Sequence, residues 1–336
     1  MDKSRLFSHL ITPPIQVKGN RDKFIDISKG VGIILVICSH VDHSFMLWSS
    51  PFFVPLFFII SGFCTCNLVN IKKKFVKLLI PYVFFTFVAF CQKGSLDLNM
   101  IMGAIYSRFC LFPLGTDDNI LFLTSGNSPL WFLTSMFTSF CIYRFFQKTP
   151  HKIVMLIAFF IMSYVLSFLP VLLPWSVDTA FLFAIYIALG AYVRNKELLT
   201  KINVHFFIGL LFVYIAFYIF CGEINLSVRE YGNSLFILLP CSTIGSILLI
   251  KFSQLLEHSS FGNCLALIGE QSLCIFSLHL PIIYLLNKIW GHFGVDIPYL
   301  GPIITIIAAL IIIYPMSLLI NKYFLLPLFD RVQRIR

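Results

Sequence analysis

Two residues near the start of the chain have types and a spacing that suit chemistry inside an apolar environment. They are Lys29 and His40, in the stretch RDKFIDISKGVGIILVICSHVDH at positions 21 to 43. On a helix, eleven steps of ~100° come to ~1100°, about 20° past three full turns, so both side chains leave on the same side. Along the axis they stand ~16 Å apart, at about 1.5 Å per residue. A lysine offers an anion a compact positive charge. A histidine titrates near neutrality and can draw a proton from a weak nucleophile. One groove on this helix can therefore hold an anion at Lys29 and present a reactive group to His40. Each residue also has a plain structural reading. A lysine at the end of a span anchors the helix at the lipid headgroups, and an interior histidine can simply hydrogen-bond between helices. Asp26 lies three residues before Lys29, a spacing that allows an ion pair. His40, Asp42 and His43 come nearest to a metal site, but the sequence places no further strong ligand with them, and no metal is expected.

The elements that must hold these residues are set by composition. Of 336 residues, 58% are apolar and 12% are charged, whereas a soluble domain carries about 25% charged residues. Mean hydropathy is +0.89. Lipid must be the solvent for most of the chain, and an all-α integral membrane protein is expected. The formal charge of +10 would suggest nucleic acid in a soluble protein. Here basic residues that hold cytoplasmic loops in place explain it better, and no nucleic-acid partner is expected. The first 30 residues are polar and charged, so no cleavable signal peptide is expected. The ten cysteines are scattered through apolar segments without a ligand or disulfide pattern, the Cys64-Thr-Cys66 pair apart.

A span needs about 20 largely apolar residues. Ten segments qualify: Ile27–Leu47, Pro51–Val69, Val76–Cys91, Pro129–Phe146, Ile153–Leu173, Thr179–Val193, Val204–Cys221, Ser234–Ile250, Cys264–Ile289 and Leu300–Leu326. Residues 92–128 form one long extracytoplasmic connection, within which Met100–Leu114 suits a re-entrant or interfacial helix. With the N-terminal segment 1–26 and the C-terminus both in the cytoplasm, all but four of the 25 Lys and Arg residues fall on the inner side. The four are Lys93, Arg108, Arg229 and Lys288. That split is the one expected of cytoplasmic loops. Residues 1–336 read as one transmembrane domain, without internal repeats or a soluble module.

Further stretches point to a family. The opening R-x-x-x-I-D-x-x-K-G, followed by an apolar run and His40, resembles the start of the acyltransferase family 3 membrane proteins. Those include sugar O-acetyltransferases acting on bacterial surface polysaccharides. The family's basic residue, ten residues, then His is matched by Lys29 and His40, with Lys where many members have Arg. PLFFIISGF at 55–63 resembles its second-span signature. KKFVKLLIPY at 73–82 resembles its R-x-x-R element, with Lys74 and Lys77 in the basic places. SPLWFL at 128–133 and IGEQSLCIFSLHLPIIY at 268–284 resemble two later elements, with Phe276 where Tyr is usual. Many relatives also carry a C-terminal extracytoplasmic hydrolase-like domain, which is not expected here.

The resemblance implies a bacterial inner-membrane enzyme that takes an acyl group, usually acetyl, from cytoplasmic acetyl-coenzyme A. It implies delivery to a sugar hydroxyl on a surface or lipid-linked glycan. Lys29, Lys74 and Lys77 would then bind the donor phosphates, and His40 would be the general base. His279 would orient the acceptor or stabilise the oxyanion. Trp131 would line the sugar pocket, and Asp117 and Asp118 would bind sugar hydroxyls from a lid. Asp26, Ser61, Gly62 and Glu270 would support the site, the small residues by letting helices approach closely. Two other readings compete. A glycolipid or polysaccharide transporter or flippase would explain many spans, but paired repeats expected of transporters are missing from the sequence. A polysaccharide polymerase would be expected to carry paired outward-facing arginines in large loops, and here only Arg108 and Arg229 lie outside.

Overall fold

The computed structural model describes residues 22–93, 98–113, 128–292 and 300–334. These residues are nearly all helical. The long helices are α1 (Lys23–Val41), α2 (Phe53–Phe63), α3 (Ile71–Lys93), α4 (Leu98–Tyr106), α5 (Trp131–Lys148), α6 (Lys152–Leu166) and α7 (Val177–Asn195). After a short α8 (Leu198–Lys201) come α9 (Val204–Ile219), α10 (Leu235–Leu255), α11 (Ser260–Glu270), α12 (Ser272–His292), α13 (Leu300–Ile320) and α14 (Leu326–Arg334). Strands β1 (Ile224–Asn225) and β2 (Glu230–Tyr231) pair antiparallel between α9 and α10. Six helices among the described residues are long and apolar enough to cross a membrane. Three shorter apolar segments, Leu47–Phe63, Lys152–Leu166 and Val204–Ile219, add to them.

Helix ends group into two faces of the bundle. At one face Arg194 donates to the Phe63 carbonyl at 3.0 Å, Lys251 to the Leu199 carbonyl at 2.8 Å and Lys23 to the Glu257 carbonyl at 2.5 Å. This is the basic end. At the far end Tyr214 donates to the Trp48 carbonyl, and Arg108 reaches both the Leu173 and Ser227 carbonyls. The apolar side chains of α6, α9 and α13 are largely exposed, as lipid-facing surfaces must be. Helices α1 and α7 are the buried ones, 67% and 78% of their spans being enclosed.

Glycines decide how these two helices are enclosed. Helix α1 packs most extensively on α11, and α2 on α7. A Cβ at Gly30 would come within 2.0 Å of the Leu265 carbonyl oxygen, and one at Gly269 within 1.8 Å of the Asp26 oxygen. Gly62 and Gly190 make the same contact between α2 and α7, at 1.9 Å from Ile187 and Ile59 oxygens. Backbone meets backbone at both crossings, which small residues permit and larger ones forbid.

Several expected spans differ from the helices. Cys264–Ile289 is two helices, α11 and α12, with Gln271 between them capping α11. Gln271 is buried, and its side-chain oxygen accepts a 3.0 Å bond from Asn321, on a π-helical turn that ends α13. That pair serves polar groups which an unbroken apolar helix would not need. Pro51–Val69 is helical only over α2. Beyond it Arg144 binds the Val69 carbonyl, and Gln147 binds the Val69 amide at 2.8 Å and the Asn67 carbonyl at 3.1 Å. Ile153–Leu173 stops being helical at Leu166, and Met100–Leu114 at Tyr106, where Ser107 takes a positive φ of 54°.

Gly62→Ala is expected to destabilise the protein by about 2 kcal/mol or more, because the Ile187 backbone cannot yield to the new methyl. Gly209→Ala on α9, whose Cβ meets nothing within 4 Å, should leave thermal unfolding in detergent unchanged or slightly raised.

Candidate active site

Two histidines meet toward the far end of the bundle. His40 stands in the last turn of α1 and His279 in the second turn of α12. Their ring centroids are 5.0 Å apart, with planes inclined at 45°. His279 is fully buried, whereas His40 is exposed. The Nδ1 of His279 lies 2.6 Å from the Phe276 carbonyl oxygen. A carbonyl can only accept, so Nδ1 carries the proton and Nε2 is left as an acceptor. That Nε2 has no hydrogen-bond partner among the described residues. A buried acceptor without a partner is costly, and such exceptions mark sites that a ligand or water completes.

His40 opens onto a cavity of about 460 Å³ at the far end. Aromatic side chains form much of its wall, with Phe53, Trp131, Phe132 and Phe276 among them. Ser39 and Ser50 contribute hydroxyls, and the β-hairpin contributes Glu223, Asn225 and Ser227. Mostly apolar walls with a few polar groups are the usual make-up of a small-molecule site.

The hairpin wall is fastened by a buried ion cluster. Asp178, in the first turn of α7, receives Arg108 on Oδ1 and Arg229 on Oδ2, the latter at 2.9 Å. Both arginines are buried with it. Their remaining donors go to main-chain oxygens: Arg108 to Leu173 at 3.0 Å and Ser227 at 2.8 Å, Arg229 to Val171 at 2.9 Å and to Leu169. Arg108 and Arg229, which the charge count puts on the outer side, are thus enclosed in this cluster rather than free on a loop surface.

At the basic end, Lys29 pairs with the buried Asp26 at 3.2 Å. Lys29, Lys74 and Arg194 all lie within electrostatic reach of Cys64, just past the end of α2. Lys74 sits 3.5 Å from the Phe140 ring centre. Lys77 stands one turn further along α3, 5.7 Å from the Phe329 ring of α14, and so faces the C-terminal helix. Lys29, two turns into α1, thus lies toward the basic mouth, and His40, in its last turn, at the far cavity.

Such a molecule is a multi-pass helical membrane protein with a cationic mouth at one end and an aromatic-walled cavity at the other. A model of the family described as "Acyltransferase domain" matches residues 22–322, and the chain belongs to acyltransferase family 3. It is a membrane acyltransferase. No match is found among curated proteins or among solved structures.

Of the remaining expected residues, Trp131 lines the cavity beside His40. Ser61 lies in the α2–α5 contact, its hydroxyl 3.7 Å from the Met136 sulfur, and Gly62 packs on α7 as described. Glu270 is half-buried at the end of α11, away from the histidines and near Tyr314. Asp117 and Asp118 lie outside the described residues. Among the described residues no three His, Cys, Asp or Glu side chains gather as a metal site. Sequence reasoning missed Glu223, Asn225 and Ser227, although the polar run CGEINLSVREYGN at 221–233 stands out between two apolar spans. It also gave Arg194 an anchoring role alone.

Asp178→Ala would leave two buried guanidiniums without a carboxylate. It is expected to cost about 3–5 kcal/mol, the usual penalty for breaking a buried charge cluster. Thermal unfolding would register the loss, and limited proteolysis should show new cleavage within 107–113 or 222–231.

Proposed function

We propose that this chain is an O-acetyltransferase of the bacterial inner membrane, moving acetyl from cytoplasmic acetyl-coenzyme A to a sugar hydroxyl of a surface or lipid-linked glycan. Helices α1, α2, α3, α5, α6, α7, α9, α10, α12 and α13 would be ten spans, running alternately between the two faces. The basic end would face the cytoplasm with both termini, following the distribution of Lys and Arg.

One observation carries the reading. His40, whose ring meets that of the buried His279, borders an open cavity at the far end of the helix that carries Lys29 toward its basic end. The donor's phosphates suit Lys29, Lys74 and Arg194, with Lys77 at the rim, since lysines meet phosphate as point charges and arginine as a fork. The long arm of coenzyme A would carry the thioester along α1 toward His40. There His40 removes the proton of the sugar hydroxyl as its oxygen attacks the thioester carbonyl. The C–S bond breaks, the coenzyme leaves as thiolate, and the proton held by His40 returns to that sulfur. The tautomer of His279 makes its Nε2 an acceptor, which suits orienting the acceptor hydroxyl or an N–H of His40 better than stabilising an oxyanion.

The test uses purified protein in detergent. A ligand that binds only the folded state raises the melting temperature in step with its excess over Kd. Acetyl-coenzyme A should give a saturable rise, blunted by Lys29→Ala more than by Lys73→Ala. His40→Ala should keep the rise and abolish acetyl transfer to membrane glycans. Equal shifts in both lysine variants would return Lys29 to headgroup anchoring. No shift in folded wild-type protein would favour a glycolipid transporter.

A further inference from the structure

The far-end cavity has a charge character that bears on what can enter it. Among its described lining residues, Glu223 is the one carboxylate, and neither Lys nor Arg is present. The two arginines nearest in the fold do not alter this. All three donor nitrogens of Arg108 are engaged by Asp178, Leu173 and Ser227, and Arg229 is held by Asp178, Val171 and Leu169. The hairpin carries one carboxylate just before β1, Glu223, and another in β2, Glu230. Burial first, and then the neighbouring Glu223 carboxylate, hold the Glu230 carboxyl above its ordinary value. His40 works as a base only while neutral, so it supplies no compensating positive charge.

The rest of the wall fits an uncharged ring. Phe53, Trp131, Phe132 and Phe276 offer flat apolar surfaces for the C–H faces of a sugar. Asn225 accepts from the Ser227 amide and hydroxyl through its Oδ1, at 3.3 and 2.6 Å, which fixes the amide group and leaves Nδ2 as a donor. Glu223 can accept from hydroxyl or ammonium groups. A uronate or phosphate in the same space would shed water beside a carboxylate and find no cation in return, which is unfavourable at short range.

We infer that the acceptor is a neutral or amine-bearing sugar, and that Glu223 selects against anionic sugars. This rests on the acetyl-transfer reading above. Glu223 is a specificity residue on the wall of the cavity rather than a participant in bond exchange. The hairpin that carries it is fixed at Ser227 by Arg108, so the carboxylate is presented from a held loop rather than a swinging one.

The experiment pairs transfer with donor binding. Glycans released by mild acid from membranes of the source cells are separated by ion exchange into an anionic pool and a combined neutral and cationic pool. Equal amounts of sugar from each are offered to the full-length protein in lipid nanodiscs with labelled acetyl-coenzyme A. The neutral and cationic pool should take up label about tenfold or more in excess of the anionic pool. Glu223→Gln should bring the two pools to within about twofold by raising anionic uptake, with the donor-induced melting shift unchanged. Equal or greater labelling of the anionic pool by wild type overturns the inference, as does an unchanged ratio in Glu223→Gln. Label in neither pool, with the donor shift intact, overturns the assignment of the cavity to a glycan. Loss of both label and donor shift in folded protein overturns the transferase reading itself.

Discussion

A bilayer core offers no hydrogen bonds, so every polar group that enters it must be answered by another group of the protein. Several irregular stretches among the described residues show how. Where α2 stops short, Arg194, Arg144 and Gln147 bind the main-chain groups of Phe63, Asn67 and Val69. Where α11 and α12 part, Gln271 and Asn321 bind each other. At the far end two arginines, themselves paired with one carboxylate, answer the carbonyls of Leu169, Val171, Leu173 and Ser227. Nε2 of His279, buried beside His40, has no partner among the described residues.

The same constraint explains why glycine matters so far from the chemistry. Helices in lipid gain little from apolar burial against each other and depend on close contact. Gly30 and Gly269 let the backbones of α1 and α11 touch, which fixes the start of α12 beside the first half of α1. Helix α12 then runs along α1, and His279 reaches His40 two turns into its course. The glycine contact toward the basic end of α1 thus helps to bring the two rings together.

Much of this was legible along the sequence. Long apolar runs separated by polar stretches gave the helices, because hydropathy is a local property that a window of about 20 residues captures. The stripe joining Lys29 to His40 followed from helical periodicity alone. The break at Gln271 was not legible, since one glutamine in a run such as ALIGEQSLCIF barely lowers the average, and its partner Asn321 lies 50 residues away. Nor was the pairing of Arg108 and Arg229 with Asp178. Counting charges by loop treats all three as independent surface groups, while their meeting depends on how α4, α7 and the hairpin converge. Glu223 went unremarked for a related reason: it acquires meaning from the cavity it shares with His40, and no local pattern encodes that neighbour.

The way the arginines hold the far-end loops has an evolutionary corollary. Apart from Asp178, what Arg108 and Arg229 grip is peptide oxygen, at Leu169, Val171, Leu173 and Ser227. A peptide oxygen is the same whatever side chain the residue bears. Most of the hairpin positions that face the cavity can therefore drift in sequence while the clasp beneath them stays shut. Selection for a new acceptor can act on residues such as Glu223 with little penalty to folding, a separation of recognition from scaffold that favours rapid divergence among descendants of one ancestral enzyme.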